Sequence, residues 1–300
     1  MLAVEIRNLS HSYTHHFWSK PRRALDSLSL EVTEGEIFGY LGANGAGKTT
    51  TIKILVGLLP PQAGEARVFG TPVQNLASRR WVGFAPENPY FYEYLTAREA
   101  LRFYAALCDV PAAERRRRAD ELLDFVGLRE AADVRLREYS KGMRQRLGIA
   151  QALVHRPKLA ILDEPQSGLD PVGRLQVREI MLRLKEEGAT VFFSTHILSD
   201  VELICNRVAL LAKGKLLACG PLSILLDARL KHIEMTVENV PAACLNEWRR
   251  RSLRSQDDPA HTGRTMLIFG DEVLANDAAR EILQAGGRLL SYRPHSRCGL

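Results

Sequence analysis

Short, wholly apolar runs alternate along the chain with segments in which apolar side chains recur every three or four positions. Ile37 to Leu41, Leu159 to Leu162 and most of Thr190 to Ser194 are of the first kind, which suits strands of a sheet covered on both faces. A helical pattern opens at Lys48 and runs to about Val56, and the breaker Pro60-Pro61 separates it from a strand at Ala66 to Phe69. This alternation predicts an α/β domain on a mostly parallel sheet. Between about residues 95 and 151 the strand pattern lapses. Thr96-Ala97-Arg98-Glu99 has the spacing of a capping box, and three or four helical segments follow, so an inserted helical subdomain is expected there.

After Gly220-Pro221 the pattern becomes more mixed. A strand is predicted at His232 to Val237, a helix at Cys244 to Arg251 and a second strand at Met266 to Phe269. A helix from Glu272 places Leu274, Ala278 and Ile282 on one packing stripe, while Ser255 to Gly263, rich in Asp, Pro and Gly, reads as a loop. The expected organisation is therefore a main domain over residues 1–220 and a small α/β appendage over 221–300.

Length and composition agree with this division: 300 residues that are 46% hydrophobic suffice for one large core and a small second one. No apolar stretch reaches the roughly 18 residues of a spanning helix. Even Arg207 to Gly220 is cut by Lys213 and Lys215. The strand-like Val4-Glu5-Ile6-Arg7 opens the chain with no leader pattern, and the five cysteines form no Cys-x-x-Cys pair, so a cytoplasmic protein with reduced thiols is expected. The net charge of +6 is dispersed, with residues 221–300 carrying 11 basic and 10 acidic side chains. Glu114, Asp120 and Glu121 dilute the run Arg115 to Arg118, and Arg249 to Arg251 likewise falls in a helical pattern. These runs read as solvated helix faces, and no nucleic-acid partner is expected.

The chemistry is concentrated in a few segments. Gly42-Ala43-Asn44-Gly45-Ala46-Gly47-Lys48-Thr49, followed by Thr50, fits the phosphate-loop pattern, sits after an apolar strand and opens a helix. Its backbone N–H groups can cradle phosphates, Lys48 can reach the terminal ones, and the Thr49 hydroxyl can serve Mg²⁺. Downstream, the strand Leu159 to Leu162 runs into Asp163-Glu164. Side-chain alternation along a strand would point these carboxylates apart, one toward a magnesium shell and the other toward an attacking water.

Tyr139-Ser140-Lys141-Gly142-Met143, shortly before that acidic pair, resembles the signature motif of ATP-binding cassette (ABC) proteins. Further family motifs follow in order across residues 3 to about 220. Ser167-Gly168-Leu169-Asp170 matches the D-loop, His196 the switch histidine and Tyr13 the adenine-stacking aromatic. Phe17 and Trp18, in a segment that reads as an insertion, are alternative rings for the adenine. Glu87 stands where the family usually has a glutamine that reaches magnesium or the water. Together with Tyr139, Lys141 and Met143, it resembles the exporter branch that handles drugs, sodium, polysaccharides or copper-enzyme maturation.

The resemblance implies a P-loop ABC cassette with an N-terminal antiparallel β part, the helical insertion and the small C-terminal appendage. It implies an ATPase that uses ATP and Mg²⁺, with Lys48, Glu164 and His196 catalytic and Thr49, Glu87 and Asp163 near the metal. Ser140, Lys141, Gly142 and Met143 would contact ATP held by a second copy, so that a homodimer closes head-to-tail. The partners would be transmembrane permease subunits, reached at the cytoplasmic face of the inner membrane. Some rings of the aromatic run Tyr90-Phe91-Tyr92, with Tyr94, are expected to line the groove for a permease helix, the alternative being a packed core edge. A chromosome-maintenance ATPase of the same superfamily would need a long coiled coil, and no sustained heptads are present. A translation factor of the superfamily would fuse two cassettes, and one is present.

Overall fold

The computed structural model describes residues 1–14, 18, 21–222, 230–258, 261 and 263–296. The chain divides into two compact units, Met1–Leu222 and Ser223–Leu300.

Two sheets build the first unit. The antiparallel one has the order β2-β1-β4-β5, from β1 (Leu2–Tyr13), β2 (Arg22–Thr33), β4 (Ala63–Val68) and β5 (Thr71–Pro72). The second has the order β10-β9-β3-β8-β7-β6, from β3 (Ile37–Gly42), β6 (Val82–Ala85), β7 (Leu159–Leu162), β8 (Thr190–Thr195), β9 (Arg207–Ala212) and β10 (Lys215–Pro221). Its strands run parallel except β10, which returns antiparallel beside β9. Every residue of β3, β7 and β8 is buried, which is why these strands appear in the sequence as unbroken apolar runs. Phe38 and Phe192 stack across the β3–β8 pair with centroids 5.7 Å apart, within a core that reaches Ile52 on α1 (Lys48–Leu55) and Val4 on β1.

The helical insertion contains α2 (Ala97–Leu107), α3 (Ala112–Phe125) and α4 (Lys141–Ala152). The capping box predicted at its start is present: the Glu99 N–H donates to Thr96 Oγ1 at 3.2 Å, and the Thr96 N–H donates to Glu99 Oε2 at 2.9 Å. The first unit also holds α5 (Pro171–Glu186) and the short α6 (Leu198–Glu202). The strand order has one consequence for function. β3, β8, β7 and β6 are consecutive neighbours, so the segments leaving their carboxyl ends open onto one edge, where ligands bind in open α/β sheets.

The second unit contains β11 (Leu230–Glu238), α7 (Ala242–Arg251), β12 (Arg254–Asp257), β13 (Arg264–Phe269), α8 (Glu272–Gln284) and β14 (Arg288–Ser296). The sheet order β12-β13-β11-β14, antiparallel throughout, gives the β-α-β-β-α-β arrangement of ferredoxin-like folds. The expectation of a loop over Ser255 to Gly263 is corrected, because Arg254–Asp257 pairs with β13. All four of its residues are exposed, so this edge strand leaves no alternation of apolar and polar positions to read. The packing stripe of α8 is as expected and wider: Ala278 and Ile282 are buried, Leu274 is half-buried against the same core, and Ala275 joins them.

Trp248 anchors this second core. It is fully buried, packs edge-on to Phe269 at 6.1 Å and donates its indole N–H to Glu281 Oε2 at 3.1 Å. Trp248→Ala should destabilise the unit by about 3–5 kcal/mol through cavity formation. Hydrogen exchange should then accelerate in β11 and β13 of the full chain, and unaltered protection there would rule out this anchoring role.

Candidate functional site

The phosphate loop leaves β3 at Gly42 and enters α1 at Lys48. Gly47 caps the helix at φ 113°, and a side chain there would meet the Ala24 carbonyl at 2.6 Å, so only glycine lets the loop lie against β2. The Ala46 N–H donates to the Ala43 carbonyl at 3.1 Å, closing a turn within the loop, while the Ala46 carbonyl accepts from the Gly214 N–H at 2.9 Å and ties the loop to the β9–β10 turn. No side chain caps α1 and no acid occupies its first turn, so the helix offers unoccupied N–H groups to an anion.

Lys48 lies back over this loop. Its Nζ donates to the Gly42 carbonyl at 2.6 Å and the Ala43 carbonyl at 3.3 Å, and sits 3.1 Å from Glu164 Oε1. Both side chains are nearly buried. Glu164 Oε1 has the ammonium beside it but no aligned hydrogen-bond donor, whereas Oε2 meets His196 Nδ1 at 2.8 Å. A carboxylate held between a cation and an imidazole, next to a phosphate loop, is suitably placed to accept a proton from water.

The divergence of Asp163 and Glu164 has a different cause from the one expected. Strand β7 ends at Leu162, and Glu164 adopts φ 46°, so a left-handed turn rather than strand alternation separates the carboxylates. Such a backbone is strained by about 1–3 kcal/mol for a non-glycine residue. Ser194 steadies it: the Glu164 N–H donates to Ser194 Oγ at 2.9 Å, and that hydroxyl donates to Asp163 Oδ1 at 2.6 Å. Burial pushes the Asp163 carboxyl above the usual range, the Ser194 and Thr49 hydroxyls draw it back, and the carboxylates of Glu164 and Glu87 push it up again. Ser194 is missing from the sequence-based set, although a lone serine closing the apolar run Val191–Phe193 was a usable signal.

A cavity of about 430 Å³ gathers these groups. It is lined by Tyr13, Asn44, Gly45, Gly47, Lys48, Thr49, Thr50, Glu87, Glu164, Ser167 and His196, together with Arg22, Arg23 and Ala24 from β2, which the sequence had not singled out. The Tyr13 hydroxyl lies 3.3 Å from Thr50 Oγ1. Of the three candidate rings, Tyr13 lines the cavity, Trp18 is exposed and does not, and Phe17 lies outside the described residues. Ser167 Oγ donates to Glu87 Oε1 at 3.2 Å, joining the segments that follow β6 and β7. A larger cleft of about 850 Å³, flanked by α3 and α5 and lined by charges of both signs, contains none of the phosphate-loop residues.

The signature-like residues lie elsewhere. Ser140, Lys141, Gly142 and Met143 do not line the cavity. Ser140 is exposed and caps α4 by accepting the Met143 N–H at 3.2 Å. Tyr139 is buried, its hydroxyl donates to the Ala131 carbonyl at 2.6 Å, and burial raises its pKa to about 12. Gly168 (φ 64°) leaves room for the Lys141 side chain, whose Nζ a Cβ there would strike. Leu169 is buried, and Asp170 caps α5 by accepting the Gly173 N–H at 2.8 Å. In the aromatic run, Phe91 is 5% exposed and belongs to the core, which removes it from the expected groove. Tyr90 (83%), Tyr92 (47%) and Tyr94 (64%) stay exposed, with the Tyr92 ring against those of Tyr94 and Phe103.

The residues 25–167 match a family model described as ABC transporter. The chain is 49% identical over 223 residues to an uncharacterized ABC transporter ATP-binding protein, sll0415, of Synechocystis; the match covers 73% of this chain and 63% of that protein. It is 40% identical over 221 residues to the bacitracin transport ATP-binding protein BcrA of Bacillus licheniformis, covering 73% of this chain and 71% of BcrA. Among solved structures it is similar to an ATP-binding cassette captured as a dimer in a post-hydrolysis state with ADP and Pi. That likeness has a TM-score of 0.67 at 26% identity and covers 73% of this chain and 98% of the other.

Proposed function

The chain belongs to the family of ABC transporter ATP-binding proteins, and we propose that it is the ATP-hydrolysing subunit of such a transporter, acting as a head-to-tail pair beside separate membrane-spanning subunits. The observation that carries this reading is the convergence of Lys48, Glu164 and His196, at 3.1 and 2.8 Å, on the edge of the phosphate loop.

The residues divide the work. Phosphates of ATP settle on the N–H groups of Gly45 to Thr49 and on Lys48, and the Tyr13 ring stacks on adenine. Glu164 takes the proton of the attacking water. His196 orients that carboxylate and reaches the terminal phosphate, so catalysis proceeds through positioning and charge neutralisation. Thr49, Asp163 and Glu87 offer the hard oxygen donors that suit Mg²⁺, an ion commonly held by one or two carboxylates and by phosphate itself. The mutual repulsion of Asp163, Glu164 and Glu87 supports a cation there. When bound, magnesium would offset charge on the phosphates.

Ser140 and Lys141, which are exposed, and Gly142 and Met143, which are half-buried, do not line the cavity and suit a role toward ATP held by a second copy. Among the described residues no helix is long and apolar enough to cross a membrane. The exposed Tyr90, Tyr92 and Tyr94 offer a docking patch for a permease helix at the cytoplasmic face. The likeness to BcrA, a bacitracin transport ATP-binding protein, supports a role in transport, and the exporter-like Glu87, Tyr139, Lys141 and Met143 favour an outward direction. Ser140→Arg tests the pairing, because a bulky cation at the signature position should abolish ATP-dependent dimerisation in sedimentation velocity runs while ATP binding by each subunit persists. A Ser140→Arg protein that still dimerises with ATP would defeat the head-to-tail arrangement.

A further inference from the structure

We propose that Arg22 is a nucleotide-contacting residue, a second cation that the antiparallel sheet delivers to the phosphate chain of ATP beside Gly45. The proposal rests on the ATP-binding reading of the same cavity and deepens it.

Arg22 opens β2 directly opposite Tyr13 of β1 in the antiparallel register. Side chains of directly opposed residues leave a sheet on the same face, and both line the cavity with the phosphate loop. The guanidinium reaches the loop itself: a Cβ at Gly45 would lie 3.6 Å from Arg22 Nη2. One cross-strand pair therefore presents an aromatic ring and a planar cation over the site, arranged to span a base and its phosphates.

Charge pairing separates Arg22 from its neighbours. Arg23 donates to Asp26 at 2.8 Å, and Lys48 is held by Glu164. Among the described residues no carboxylate or carbonyl pairs with the Arg22 guanidinium. The cavity already contains Glu87 and Glu164, and a polyphosphate adds further negative charge that Lys48, partly neutralised by Glu164, offsets incompletely. Arg22 is the lining cation whose charge is unspent, and its fork of N–H donors matches phosphate oxygens better than an ammonium does.

Equilibrium dialysis of the full chain with ATP, ADP and adenosine tests the assignment. Arg22→Ala should weaken ATP and ADP by about tenfold, the effect of losing one charge-assisted contact, while adenosine affinity holds. KM for ATP should rise by the same factor while kcat moves less. Arg22→Lys should recover part of the loss, and raised salt should shrink the gap between variant and wild type because the site is exposed. Unchanged ATP affinity in Arg22→Ala, alongside a loss in Lys48→Ala, would overturn the role of Arg22 and leave the ATPase reading intact. Equal losses for ATP and adenosine would reassign Arg22 to supporting the Tyr13 ring. A wild-type chain that binds no ATP would remove both.

Discussion

Glu164→Gln should lower steady-state ATP turnover by about 10²- to 10⁴-fold, the range lost with a positioned general base, while ATP still binds. The amide keeps the shape of the carboxylate and can still accept a hydrogen bond from His196, but it cannot take a proton from water. It also ends the 3.1 Å ion pair with Lys48. In the nucleotide-free protein that pair competes with phosphate for the ammonium, so the variant should hold ATP at least as tightly as the wild type. Phosphate release measured in single-turnover and steady-state assays, combined with sedimentation, should show a nucleotide-loaded pair that hardly turns over. Hydrolysis within tenfold of wild type would falsify the assignment of Glu164 as the base.

Lys48→Ala should weaken ATP binding by about 100-fold, because it removes a buried cation able to make charge-assisted contacts with two phosphates. A second effect belongs to the empty protein. Glu164 Oε1 has no aligned hydrogen-bond donor and is compensated by the charge of the neighbouring ammonium, and breaking a buried ion pair from one side costs about 3–5 kcal/mol. The variant should therefore melt earlier even without nucleotide. Adding Glu164→Gln to it should recover much of the stability, since a neutral amide tolerates the vacated site, without restoring ATP affinity. Calorimetric titration and thermal unfolding of the single and double variants separate the two effects. If ATP affinity survives in Lys48→Ala, the phosphate-binding role of Lys48 is wrong.

The strands that could be read from the chain are interior to their sheets. β3, β7 and β8 are interior to the six-stranded sheet, and β11 and β13 are the central strands of the second unit. The unbroken apolar runs of β3, β7 and β8 reflect layers on both faces, whereas the alternation in β11 and β13 reflects one fully buried face and one less buried. The strands that escaped notice in the second unit are its edges. β12 is exposed along its whole length, and β14 contains Pro294, which an edge strand tolerates. The capping box at Thr96 and Glu99 was legible for the opposite reason: it is complete within four residues and needs no other part of the fold.

The same contrast holds at the site. Local sequence dictates the phosphate loop, since its glycines and the helix that follows specify their conformation within a few residues. It also supplies the acids after β7 and the histidine after β8, each marked by a polar residue at the end of an apolar run. Chain position alone does not reveal that Ser194 links Asp163 to the Glu164 backbone, that Lys48 rests against Glu164, or that Arg22 stands across from Tyr13 above Gly45. Those relations join residues remote in the chain, and their distances follow from strand order and hairpin register. Both are properties of the packed sheets as a whole, because no short segment can bury its own faces or choose its own neighbours.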